Sequence, residues 1–216
     1  KECSLPDLGA KSSITPPLFL TREILLKHDP DGALEPFLKD ILEFNTKVNI
    51  VSRETNLPNL KKIAADCLIP YEFLPPPQGK FFDIGSGAGF PGIILLLTFR
   101  GLEGVLFERT AKKTRFLESL LKKYSLPAKI INADFTENSS SLPPSSFDTG
   151  LMKYVRLEKS ILTRALPLLR PQGHFIYYSS IESKTPAAKA LQPDVYHYYL
   201  DSKEILRSFT LFTPTL

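Results

Sequence analysis

The segment EPFLKDILEFNTKVN (35–49) sets Phe37, Leu38, Ile41, Leu42, Phe44 and Val48 at helical spacing. A second helical pattern runs from Leu57 to Phe73, with Leu60, Ile63, Ala64, Cys67 and Leu68 on one face. Ahead of both, prolines at 6, 16 and 17 make the first 20 residues an irregular lead-in. The stacked prolines of PPPQG (75–79) stop the helical pattern and stiffen the connection that follows. Beyond Lys80 the pattern changes period. Short apolar runs predict strands in FFDI (81–84), GVLFE (104–108), AKIINAD (128–134), FDTGLMKY (147–154) and GHFIYYSS (173–180). Residues 91–98, 110–126 and 158–169 predict helices, the second amphipathic with Phe116, Leu117, Leu120 and Leu121 inward. NSSSLPPSS (138–146) reads as a flexible surface loop. VYHYYLDSKEILRSFTLFT (195–213) predicts two strands in hairpin relation.

Strands alternating with helices at this spacing imply right-handed crossovers and an α/β fold with a doubly wound, mostly parallel sheet. A small N-terminal helical part (1–74) and a proline-rich linker (75–79) precede the domain that carries the sheet (80–216), which closes on the antiparallel hairpin. Ligands of such sheets lie at the carboxyl ends of the strands, near the switch in strand order. That rule collects the glycine turn at Gly85, Glu108, Asp134 and Met152–Lys153 on one rim.

Bulk composition narrows the field modestly. The 216 residues are 43% hydrophobic, enough for one good core with a small appendage. A net charge of +4 permits an anionic partner such as RNA without requiring one. Cys3 and Cys67 make neither a disulfide framework nor a zinc site, and no metal is expected. The N-terminal stretch has no apolar core of signal-peptide length, and the longest apolar run, Ile93–Leu97, is far short of a membrane span. A cytoplasmic monomer that binds no membrane is the expectation.

The chemistry gathers at Gly85-Ser86-Gly87-Ala88-Gly89. Glycine accepts positive φ and lets a ligand touch the main chain. This turn lacks the Gly-Lys-Ser/Thr ending of a phosphate loop, and its third glycine comes one residue early for a dinucleotide site. Asp83, two residues ahead, suits a cationic or hydroxyl-bearing ligand better than a pyrophosphate. Glu108 ends the next strand, where an acid accepts from ribose hydroxyls, and Ala133-Asp134 ends the one after, within reach of adenine's edge. An adenosine ligand without phosphates, carrying a positive sulfonium, answers all three: S-adenosylmethionine.

These residues and their flanks resemble the bacterial small-subunit rRNA methyltransferase G family, also called glucose-inhibited division protein B. The resemblance runs from about Leu34 to Thr213 and rests on FNTKVNIVSR (44–53), DIGSGAGFPGI (83–93) and ERTAKKTRFLESL (108–120). The Phe-Pro-Gly ending of the second segment is its most distinctive part. It implies a class I, Rossmann-like methyltransferase that uses S-adenosylmethionine to methylate N7 of a guanine in 16S rRNA. Cofactor contacts carried over fall on Gly85, Phe90, Glu108, Ala133, Asp134 and Lys153, with Asp83, Ser86, Gly87, Gly89 and Arg109 beside them. The pattern departs at two places. The family's Ser-Arg-Ala stands here as Met152-Lys153-Tyr154, and its His-x-x-Asp-Ser-Leu as IAADCL, with Asp66 kept and Ile63 in the histidine position. Lysine keeps the charge but loses the planar fork of arginine.

Guanine N7 offers a lone pair with no proton to remove, so alignment and charge stabilisation are the chemistry required. Lys153 is the candidate catalytic residue, while His28, His174 and His197 are scattered and read as surface or packing residues. Candidate contacts to 16S rRNA or the small subunit are Asn45, Asn49, Arg53, Lys112 and Lys113, with Lys47, Lys61, Lys62, Arg115, Lys122 and Lys123 as further cations. The asparagines suit RNA or the loop over the cofactor equally well. Tyr177, Tyr178, Tyr196, Tyr198 and Tyr199 lie in strands and are expected to pack the sheet. Two alternatives stay open on the sequence: a methyltransferase acting on a small molecule or protein, and a cofactor- or RNA-binding relative without catalysis.

Overall fold

The computed structural model describes residues 15–181 and 191–214; Cys3, Pro6 and the first part of the lead-in lie outside them. Chain order is β1 (Leu18–Phe19), α1 (Thr21–His28), α2 (Leu34–Asn45), α3 (Leu57–Leu68), β2 (Gly79–Ile84), α4 (Gly92–Thr98), β3 (Leu102–Phe107) and α5 (Ala111–Lys123). Then follow β4 (Ala128–Ile131), α6 (Phe135–Asn138), β5 (Phe147–Met152), α7 (Lys159–Ala165), β6 (Leu169–Tyr177), β7 (Asp194–Leu200) and β8 (Ser202–Phe212). The strands form one sheet in the order β1-β7-β8-β6-β5-β2-β3-β4. Parallel pairing holds from β6 across to β4, while β8 runs antiparallel to both β6 and β7. The expected doubly wound sheet with its closing hairpin is therefore the fold.

Two apolar layers sandwich the sheet. On one face α2 to α5 pack with Leu106, Leu151 and Ile176; on the other, Phe135, Ile161 and Leu162 of α6 and α7 cover Phe82, Phe107 and Phe175. Phe37 of α2 reaches Phe90 of the glycine turn, ring centroids 5.9 Å apart. The N-terminal helices thus share a core with the sheet. α3 begins on a reciprocal cap, Asn59 N–H donating to the Asn56 side chain at 3.0 Å and Asn56 N–H to the Asn59 side chain at 3.3 Å. Pro58 then sits in the first turn, where a missing N–H costs nothing.

Several boundaries differ from the sequence reading. The lead-in is not irregular throughout: β1 pairs parallel with β7, and α1 follows it. Its anchor is long-range, for Thr21 donates through N–H and hydroxyl to the two carboxylate oxygens of Asp201, in the β7–β8 turn, at 2.8 and 2.9 Å. α2 stops at Asn45, leaving Val48 in a loop, and α3 gives way at Ile69 to a 3-10 turn. The 138–146 segment does not start as open loop. Asn138 closes α6, a 3-10 turn covers Ser139–Ser141, and Ser139 and Leu142 are buried.

Candidate active site

Sheet register builds the site. Ile84 pairs with Phe107 on one side and Met152 on the other, so the next residues, Gly85, Glu108 and Lys153, leave the sheet side by side. Phe107 pairs in turn with Ile131, and Asp134 follows at the N-cap of α6. A cavity of about 800 Å³ opens over these strand ends. Gly85, Ser86, Gly87, Phe90 and Glu108 line it, as do Arg109, Lys113, Ala133, Asp134 and Lys153. The structure brings nearly the whole expected cofactor set to one place.

Gly85 and Gly87 both have positive φ, +72° and +58°, but for different neighbours. A Cβ on Gly85 would strike Val155 at 2.5 Å, whereas one on Gly87 would meet nothing closer than the Gly85 carbonyl at 3.7 Å. Gly87 therefore turns a bare backbone face to the cavity. Its N–H donates to Glu108 Oε2 at 3.0 Å, and Thr110 N–H donates to Oε1 at 2.8 Å. Two amides fix the Glu108 carboxylate while leaving it further lone pairs to accept from a ligand. Asp134 Oδ1 takes the N–H and hydroxyl of Thr136 at 2.9 and 2.7 Å, bonds that hold its carboxyl below the usual range.

Two expected contacts lie behind the wall instead. Asp83 is fully buried, and its Oδ2 accepts from Gly92 N–H at 3.2 Å at the start of α4. Burial pushes its carboxyl up to about 7, and Oδ1 has no partner among the described residues. Gly89, at φ +101°, is tight against Ile93 and Phe37 rather than open to the cavity. Both belong to the scaffold of the turn.

Lys153 is buried, and its ammonium pairs with Asp66 Oδ2. Asp66 Oδ1 accepts from the Tyr198 hydroxyl at 2.8 Å and from Arg207 at 3.1 Å. Burial alone would push the Asp66 carboxyl up, but Lys153 and Arg207 outweigh it and hold the carboxyl below its ordinary range. Burial likewise opposes the Lys153 ammonium, and Asp66 beside it helps hold the pKa above the usual lysine value. α3, β5, β7 and β8 thus meet in one ion-paired cluster. Nζ of Lys153 also lies 4.8 Å from the ring centroids of Tyr154 and Tyr178.

The RNA candidates divide. Asn45 is a staple: its Oδ1 accepts from Ile50 and Val51 N–H at 2.9 and 3.0 Å, and its amide donates to Ser52 O at 3.3 Å. Ile50, Val51 and Ser52 line the cavity, so Asn45, itself half-buried, shapes one of its walls. Asn49, Arg53 and Lys112 are exposed. Lys61, Lys62 and Lys123 are taken by Glu35, Asp201 and Asp40. Among the described residues Arg53, Arg109, Lys112, Lys113 and Arg156 pair with no carboxylate. Of these, Arg156 was not singled out in the sequence. Tyr154, named in the sequence only as part of the Met152-Lys153-Tyr154 departure, also lines the cavity directly after Lys153, and Arg156 follows three residues after Lys153. Tyr178 donates to Cys67 O at 2.8 Å and Tyr196 stacks on Phe209 at 4.7 Å, packing roles both.

An open sheet of this order, with a glycine turn after β2 and an acid closing β3, defines a class I methyltransferase. An S-adenosylmethionine-dependent O-methyltransferase from Thermotoga maritima has the same fold, with a TM-score of 0.57, 16% identity and coverage of 83% of this chain and 71% of that one. The chain belongs to the rRNA small subunit methyltransferase G family, whose match covers residues 31–197. It is 30% identical to the ribosomal RNA small subunit methyltransferase G of Syntrophomonas wolfei over 67% of this chain and 68% of that protein. The ribosomal RNA small subunit methyltransferase G 1 of Syntrophobacter fumaroxidans is 32% identical, over 67% of each. Membership makes the protein an S-adenosylmethionine-dependent methyltransferase. Among the described residues no helix is long and apolar enough to cross a membrane.

Proposed function

We propose that the protein methylates N7 of a guanine in small-subunit (16S) ribosomal RNA. The observation that carries this reading is the rim itself, where acceptors suited to an adenosine lie next to Arg109, Lys113 and Arg156, which among the described residues no carboxylate takes up. Glu108 receives the ribose hydroxyls, oriented by its two backbone donors. Asp134 meets the amino edge of the adenine, and the bare face of Gly87 lets the ligand approach the main chain. When bound, S-adenosylmethionine supplies an electrophilic methyl on a sulfonium.

The chain's own residues then align the base, since N7 attacks through its lone pair and no proton has to leave. Methyl transfer to that lone pair leaves positive charge on the purine, which the residues around the base have to accommodate. Asp66 neutralises Lys153, so the ammonium at the cavity does not oppose that charge outright. Arg53, Arg109, Lys112, Lys113 and Arg156 suit the phosphates of the strand that carries the base. A ribosomal substrate sets the cytoplasm as the working compartment.

The test is methyl transfer from labelled S-adenosylmethionine to small ribosomal subunits from cells lacking the endogenous enzyme. Label at a single guanine N7 is the expected result. Label on another base, or on none with the cofactor bound, overturns the reading.

A further inference from the structure

Tyr154 is 73% exposed, the one exposed phenylalanine or tyrosine among the described residues. Every other phenylalanine and tyrosine described is at least half-buried in a core or against a neighbour. Its backbone sits at φ +60°, a left-handed conformation that bulky residues rarely adopt. Such conformations persist where the surroundings impose them, and they cluster at ligand sites. The surroundings here are rigid: Lys153, immediately before it, is buried and ion-paired to Asp66. Tyr154 lines the cavity together with Gly85 and Glu108, and Arg156 lies two residues on. The chain thus spends an unfavourable backbone geometry to hold an aromatic ring in water at the mouth of the cofactor cavity.

We propose that Tyr154 is the stacking platform for the target base, which enters the cavity unpaired from its RNA helix. This rests on the RNA-methylating function proposed above. An aromatic face stacks on any nucleobase without using its hydrogen-bonding edge, which leaves N7 open to the methyl group. Lys153 Nζ lies over one face of the ring, 4.8 Å from its centroid, so the other face is the one open to a base, and it serves the chemistry as well as the binding. Methylation makes the purine cationic, and the negative face of a phenol ring attracts a cation. Tyrosine is needed for its ring and not for its hydroxyl.

The experiment compares wild type with Tyr154→Ala, Tyr154→Leu and Tyr154→Phe on unmethylated small subunits, measuring transfer and equilibrium binding. Cofactor affinity by calorimetry and the thermal midpoint are recorded beside them. Loss of one stack should lower kcat/KM about 10-fold or more in Y154A. Y154L should fall with it, and Y154F should restore transfer to within about threefold. Cofactor affinity should stay within about twofold, and no variant should melt early, as it would if the ring were only a packing element. Transfer by Y154A at the wild-type rate, or failure of Y154F alongside Y154A, overturns the proposal. If wild type itself transfers no methyl, the functional reading fails and binding decides the stack. Weaker subunit binding by Y154A that Y154F restores then upholds it, and equal binding by all variants overturns it.

Discussion

Asp83 has a carboxylate oxygen with no partner among the described residues and a pKa pushed by burial to about 7. In the unfolded chain the same group releases its proton near pH 4. Between those two values the folded state binds more protons than the unfolded one. This group's effect on stability therefore worsens as pH rises from about 4 to 7 and is level above that. Asp83→Asn removes the titration while keeping an acceptor for Gly92. Urea unfolding at pH 5 and pH 8 should show D83N gaining about 1–3 kcal/mol on wild type across that interval. A difference that does not change with pH would refute the assignment. The opposite regime holds at Lys153 and Asp66, where both charges are kept because each has the other. Lys153→Met strands a carboxylate that keeps only Tyr198 and Arg207. It should cost about 3–5 kcal/mol, and adding Asp66→Asn should recover a good part of that. Denaturant titration of the single and double variants measures the coupling.

At the scale of elements, the turn after β2 and the loop after α2 form facing walls of one cavity. Gly92 has no Cβ because one would sit 2.7 Å from both Asp83 Oδ2 and Leu106. That contact gives the distinctive Phe90-Pro91-Gly92 tail a physical reason. Asn45→Ala removes three bonds to the 50–52 backbone, worth about 1–3 kcal/mol together. Trypsin should then cut after Arg53 several-fold faster, with little change in the global unfolding midpoint. An unchanged cleavage rate would mean that the loop is held by its apolar contacts alone.

Much of this architecture was legible in the chain. The core strands were marked by short apolar runs, and register then brought Gly85, Glu108 and Lys153 to one rim. What periodicity missed depends on distant partners. α1 buries only Ile24 along its length, and β1 is two residues long, so neither leaves a pattern without β7 and Asp201. Asp83 reads as a ligand by its place beside the glycines, yet its side chain turns under them. Asn45 suits RNA or the loop over the cofactor on sequence alone, and its bonds to the 50–52 backbone match the second of these.

Across the whole molecule the net charge of +4 is small, and its arrangement matters more than its size. Many cations are absorbed in local pairs: Lys39 and Lys61 on Glu35, Lys62 on Asp201, Lys123 on Asp40 and Arg170 on Asp148. The unpaired ones come from three stretches of chain: Arg109, Lys113 and Arg156 line the cavity, Arg53 lines a second hollow that shares Thr55 with it, and Lys112 is exposed beside Lys113. Binding to small-subunit RNA should therefore weaken steeply with salt, because each phosphate neutralised releases counterions. Arg53 and Lys112 stand away from the acceptors that Glu108 and Asp134 present. Arg53→Gln and Lys112→Gln should each flatten the slope of log K against log salt by about 0.7–1. Neither should change cofactor affinity measured by calorimetry. A slope that survives both substitutions would move the RNA path off this rim, to cations elsewhere on the surface.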